Sequence, residues 1–202
     1  METPVSTYTS AARSFSTLVH VIHEDQWAGP GLGEWNLRSL VGHTSRALTT
    51  VASYLDTSAE TVDIESPEDY YARAKASAID PSGIAERGRR AGVELGADPA
   101  ASVDTLVGAA LTQLGSGEDR LIRVVGDLGI RLHSYLPTRT FELAVHSLDI
   151  AAAAGVPFTL PDDVLEETTV LAARIAVRIG AGATALGALT GRAPLPASFS
   201  VV

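Results

Sequence analysis

Glu142, His146 and Asp149 stand at i, i+4 and i+7 in the alanine-rich stretch RTFELAVHSLDIAAAAG, residues 139–155. In a helix each residue advances about 100°, so the three side chains share one ridge. Residues four apart have Cβ atoms about 5–6 Å from each other, which lets Glu142 and His146 converge on a single point. An imidazole nitrogen and a carboxylate oxygen both bind divalent cations at about 2 Å. With Phe141, Val145, Leu148 and Ala152 as the expected core stripe, the ridge borders the buried face. The same residues also fit a blander pattern. An intrahelical Glu–His pair is commonly a solvated surface pair worth about 0.2–0.5 kcal/mol, and Asp149 alone would serve solubility.

A catalytic metal needs a third protein ligand, and the chain holds five histidines. His20 and His23 fall at the end of a first helix, where favourable contact with the terminal carbonyls accounts for them. His133 lies in a region with hairpin character. His43 is one turn beyond a helix start at Trp35 and Asn36, on the flank of that helix's apolar stripe. From there it can face another helix across a bundle; the alternative is a partly buried, hydrogen-bonded histidine.

The elements that would position these residues follow from periodicity. Tyr8, Ala12, Phe15, Leu18, Val19 and Ile22 define a first amphipathic helix over 6–24. After the Gly- and Pro-punctuated loop DQWAGPGLGEW, Asn36 fits an N-cap and Trp35 a hydrophobic staple onto Leu40. That second helix is expected to run to about Asp56. A short helix is expected near 67–79, then helical segments near 82–95 and 99–114, the latter entered through Asp98 and Pro99. The segment DRLIRVVGDLGIRLHSYLP has the β-branched residues and Gly turn of a short hairpin. The ridge-bearing helix is expected from about Pro137 to Gly155, and a last long helix over 161–180. One or two further turns over AGATALGALTG and an extended tail close the chain. Four long helices in a mainly α chain predict a four-helix bundle forming a single domain over 1–202.

Composition narrows the function classes. The 202 residues with 46% apolar content suffice for a substantial core. A net charge of −9 argues against nucleic acid or an anionic membrane as the main partner. There is no cysteine, so disulfides, a thiolate nucleophile and Cys-ligated metal are excluded, and any thiol chemistry uses a thiol from outside. No signal peptide or membrane-spanning run is evident, which predicts a cytoplasmic protein.

Two segments together resemble one family. GLGEWNLRSLVGHTSRAL carries W-x-x-x-x-L-x-x-H, and YLPTRTFELAVHSLDIAAAAG carries R-x-x-E-x-x-x-H-x-x-D. In this order, about a hundred residues apart and with the closing GALTGRAPLP, they resemble the mycothiol-dependent maleylpyruvate isomerase family, a branch of the DinB-like metal-dependent bundles. The resemblance implies a divalent metal, usually zinc, on His43, Glu142 and His146. It places Asp149 beside the ligands as a pocket or supporting residue. Arg139 would orient Glu142 or meet an anionic substrate; Asp149 and Arg139 are the candidate catalytic residues. Trp35 is expected to be structural.

The implied cosubstrate is the low-molecular-weight thiol mycothiol, which coordination would deprotonate at neutral pH. In an isomerisation the thiolate adds to a cis double bond, the new single bond rotates, and the thiol leaves. In an S-transfer it stays attached. The best-known isomerase of this type has a further C-terminal domain, for which the residues after Thr190 are too few, so a thiol S-transferase is expected at least as much as an isomerase acting on a small electrophile. The alternative is a non-catalytic metal-containing bundle. Its apolar AAAAG and GAGATALGAL stretches would line a small-molecule cavity, a protein contact or a homodimer interface. Metal-assisted hydrolysis with Asp149 as base ranks behind both.

Overall fold

The computed structural model describes residues 3–76 and 81–202. Helices dominate: α1 Pro4–His20, α2 Leu37–Leu55, α3 Pro67–Ala76, α4 Pro81–Glu94, α5 Pro99–Leu114, α6 Leu132–Ala154, α7 Asp162–Arg178 and α8 Gly182–Leu189. The end of the third helix expected near 79 lies outside the described residues. Strands β1 Leu121–Val124 and β2 Leu128–Arg131 form an antiparallel hairpin, pairing Ile122 with Ile130. Four of the helices close a ring, with α1 against α6, α6 against α2, α2 against α5 and α5 against α1. The mainly α bundle is thus present, but its fourth member is α5. The last long helix, α7, packs outside the ring on α6, α1 and α3.

Local chemistry starts the helices where the sequence indicates. Thr3 and Ser6 form a capping box at α1, Asn36 accepts from the Ser39 N–H at 2.8 Å, and Asp98 accepts from the Ala101 N–H at 3.0 Å ahead of Pro99. Each such cap satisfies an N–H that the first helical turn leaves without a partner. Tyr8, Phe15, Leu40, Leu48, Val103, Leu136, Leu143 and Ile150 fill the interior. Each fully buried apolar side chain of this size contributes about 1.5–3 kcal/mol.

Helix α6 departs from expectation twice. It begins at Leu132, directly after β2, and carries Pro137 inside it. Asp119 Oδ1 accepts from the His133 N–H at 3.0 Å, so the hairpin side supplies the cap, and Pro137 forfeits one helical hydrogen bond. The buried stripe is also different: Leu136, Leu143, Ala144, Ser147, Ile150, Ala151 and Ala154 face the ring. Leu148 is exposed, and Phe141 faces a second cluster with Tyr71, Leu171 and Ile175. A helix covered by neighbours on two sides has no single apolar stripe to read, so a helical wheel misassigns it.

Two glycines permit close approaches that shape the surroundings of α2 and α3. A Cβ on Gly42 would collide with the backbone of Ala91 and Gly92, so α4 crosses α2 at backbone contact. A Cβ on Gly129 would collide with the Thr61 carbonyl. There the Gly129 carbonyl accepts from Asp63 and Ile64 N–H groups at 2.8 and 3.0 Å, which ties the segment leading into α3 to the hairpin. Among the described residues, no helix is long and apolar enough to cross a membrane.

Candidate metal centre

Helices α2 and α6 are neighbours in the ring, and each presents its chemically active residues to the other. The His43 and His146 rings meet edge to face, with centroids 5.0 Å apart and planes at 82°. Glu142 Oε2 lies 3.5 Å from His146 Nε2. One donor atom from each of His43, Glu142 and His146 falls within 4.8 Å of the other two. Residues about a hundred apart in sequence thus share one point.

Each of the three has a distinct support. His146 Nδ1 pairs with Asp149 Oδ2 at 3.1 Å, leaving Nε2 turned towards Glu142. Glu142 Oε1 accepts from the Tyr71 hydroxyl at 2.9 Å. His43 is held by stacking: the Trp35 ring lies 4.4 Å away, centroid to centroid, at 32°. Trp35 in turn donates through Nε1 to the Ala85 carbonyl at 2.9 Å and rests on Gly88, where a Cβ would strike its ring. Trp35, expected to be structural, thus packs directly against His43 and is itself held at the close α2–α4 crossing.

The electrostatics suit a cation. Burial, together with the charge on His146, lowers the His43 pKa to about 4, so this imidazole is neutral and has a lone pair to give. Its Nδ1 is buried without a hydrogen-bond partner. Burial works to raise Glu142, but His146, Arg139 and the Tyr71 hydroxyl outweigh it and bring its pKa down to about 2. Burial works to lower His146, but the bonds to Asp149 and Glu142 dominate and raise it to about 9. Burial and the Glu142 charge push Tyr71 well above the ordinary tyrosine range, so it stays a donor. A neutral imidazole, an ionised carboxylate and a second imidazole backed by a carboxylate form a donor set suited to zinc, nickel or iron. The residues fit the metal that the resemblance implies.

Arg139, one turn before Glu142, is buried. Its guanidinium lies over the Tyr70 and Tyr135 rings at 5.3 and 5.1 Å, and Nε donates to Thr138 Oγ1 at 3.0 Å. Among the described residues no carboxylate forms an ion pair with it. The remaining histidines stand apart. His20 pairs with Asp104 of α5 at 2.8 Å instead of its own helix end, His23 is exposed, and His133 Nε2 binds the Gly117 carbonyl.

Nothing in the sequence points to Tyr71 or Tyr70. Seventy-one residues separate Tyr71 from Glu142, and no local spacing connects a tyrosine on a short polar helix to a ligand on another element.

Comparison with known proteins bears on this arrangement. No curated protein matches the chain. A solved structure described as "Crystal structure of the mycothiol-dependent maleylpyruvate isomerase" is 17% identical, with a TM-score of 0.46, over 87% of this chain and 72% of that one. The family model described as "Mycothiol maleylpyruvate isomerase N-terminal domain" matches residues 8–151. That span takes in most of α1, all of α2 and nearly all of α6, with both motifs; the chain belongs to the mycothiol maleylpyruvate isomerase N-terminal domain family.

Proposed function

We propose that the protein is an enzyme in which His43, Glu142 and His146 hold a divalent metal, zinc in the first instance, to activate mycothiol against a small electrophile. The observation that carries this reading is the convergence of the three donor atoms within 4.8 Å from two helices. Three protein ligands leave room for an exchangeable one, as catalytic zinc sites do and structural sites do not. A zinc ion there would supply Lewis acidity that deprotonates a thiol at neutral pH.

The chain's own residues do the rest. Asp149, 3.1 Å from His146 Nδ1, fixes that ring's tautomer and orientation. Asp149 is in this reading a positioning residue and not the base of a hydrolase, because its carboxylate is committed to His146. Arg139 is an anion receptor. Aromatic faces stabilise its charge, and with no carboxylate in ion-pair contact among the described residues its fork can meet a carboxylate on the electrophile. Trp35 shields the His43 side from water.

Isomerisation is the reaction of the family, and S-transfer is open to the same residues when the thiol adduct is retained. The test is metal content by plasma mass spectrometry on tag-free protein, wild type beside His43→Ala, followed by thiol and electrophile assays. About one metal per chain in the wild type and little in the variant is expected. A wild type without metal even after zinc is offered overturns the proposal.

A further inference from the structure

Resting on the metal reading above, we propose that Tyr71 is a positioning residue that holds Glu142 monodentate, reserving Oε2 for the metal and keeping a coordination position free for the thiol. A carboxylate has two oxygens and about four lone-pair sites, so an unrestrained glutamate can chelate a cation through both. Here the two oxygens are divided. Oε1 accepts from the Tyr71 hydroxyl at 2.9 Å, while Oε2 is the oxygen on the His146 side, 3.5 Å from Nε2. To chelate, Glu142 would have to share Oε1 between the metal and the Tyr71 hydroxyl or turn it away, weakening a charge-assisted hydrogen bond in a buried setting, where such bonds are strongest.

The donor is rigidly placed. Tyr71 is 6% exposed. Its ring lies against Phe141 and Tyr70, with centroids 5.3 and 5.6 Å away. The hydroxyl is also 3.0 Å from the Thr138 carbonyl, an acceptor on the same helix as Glu142, so the ring is registered to α6 as well as to the carboxylate. Helix α3 itself is pinned to α7 through Asp69 and Arg178 at 2.6 Å. Lys75 Nζ reaches the Ser200 carbonyl at 3.3 Å, and Val201 packs on the same cluster as Tyr71. The role requires only the hydroxyl, and Tyr71→Phe keeps the ring that lies against Phe141 and Tyr70.

The test uses the cobalt-loaded protein with N-acetylcysteine as the thiol probe. Wild type is expected to give the strong visible absorption of a low-coordinate cobalt site and a new charge-transfer band on adding the probe. Tyr71→Phe is expected to stay folded by circular dichroism and to bind cobalt. Its visible absorption should weaken as the coordination number rises, and its affinity for N-acetylcysteine should fall about tenfold or more. Replacing Tyr71 with p-aminophenylalanine, which restores a donor, should return both signals.

An unchanged spectrum and unchanged thiol affinity in Tyr71→Phe overturns the inference while the metal reading stands. Wild type that binds neither cobalt nor zinc overturns both. X-ray absorption on the loaded wild type decides the matter without any variant: a bidentate carboxylate overturns the inference.

Discussion

On the proposed metal reading, zinc would displace a proton from His146, which would make metal binding a measurable proton exchange. In the metal-free protein the bonds to Asp149 and Glu142 raise His146 to about 9, against an ordinary histidine value of about 6.5. At about 1.4 kcal/mol per tenfold change in proton affinity, the protonated ring contributes on the order of 3 kcal/mol. The folded pKa is the higher one. The contribution is therefore complete below about pH 6.5 and is lost as pH rises through about 9. His43, lowered to about 4, and Glu142, lowered to about 2, complete their titration below this window and do not contribute to it. Metal-free protein should thus lose on the order of 3 kcal/mol of stability between about pH 6.5 and 9, while zinc-loaded protein, whose His146 is already deprotonated, should not. Apparent zinc affinity should rise about tenfold per pH unit over the same range and flatten above about pH 9. Isothermal calorimetry at pH 7, in buffers of different ionisation enthalpy, should count about one proton released from the protein per zinc. A count near zero, or a flat affinity profile from pH 6.5 to 9, would refute the assignment of a charged His146 between two carboxylates.

Four substitutions extend the reasoning. His146→Ala should abolish metal retention and leave a helical protein by circular dichroism, since the ring lies beside the core; an unfolded variant would make His146 structural. Asp149→Asn should retain zinc with about 10–100-fold lower affinity in a chelator competition and lose most activity; complete metal loss would make Asp149 a ligand. Arg139→Gln should raise KM for a carboxylate-bearing electrophile about tenfold or more at unchanged metal content, and an unchanged KM would remove the anion-receptor role. Gly42→Ala should destabilise by about 1–3 kcal/mol in urea unfolding, because the new methyl meets the Ala91–Gly92 backbone; a neutral result would show that the α2–α4 crossing yields.

Much of this protein is legible in one dimension because its rules are local. Asn36 and Asp98 announce their helices by the hydrogen bonds their own side chains make three residues on, and the 3.6-residue repeat of α2 marks Leu37, Leu40, Val41, Thr44, Leu48, Val51 and Leu55, all buried. Glu142, His146 and Asp149 share a ridge for the same reason: helical spacing alone brings them together. What a residue meets on another element is not encoded that way. The spacing of α6 could not reveal that it is covered on two sides, nor could Pro137 show that Asp119 caps the helix upstream of it. His43 stands out in the sequence by its place on the flank of the α2 stripe and by the motif it closes, but its meeting with His146 depends on α2 and α6 being neighbours. Trp35 packs against His43 and is held where Gly42 and Gly92 let α4 cross α2 at backbone contact. Tyr71 meets Glu142 across elements, where the segment leading into α3 is tied to the hairpin through Gly129. Within a helix the chemistry follows from spacing. Between helices it depends on packing, which is a property of the assembled chain and of no segment in it.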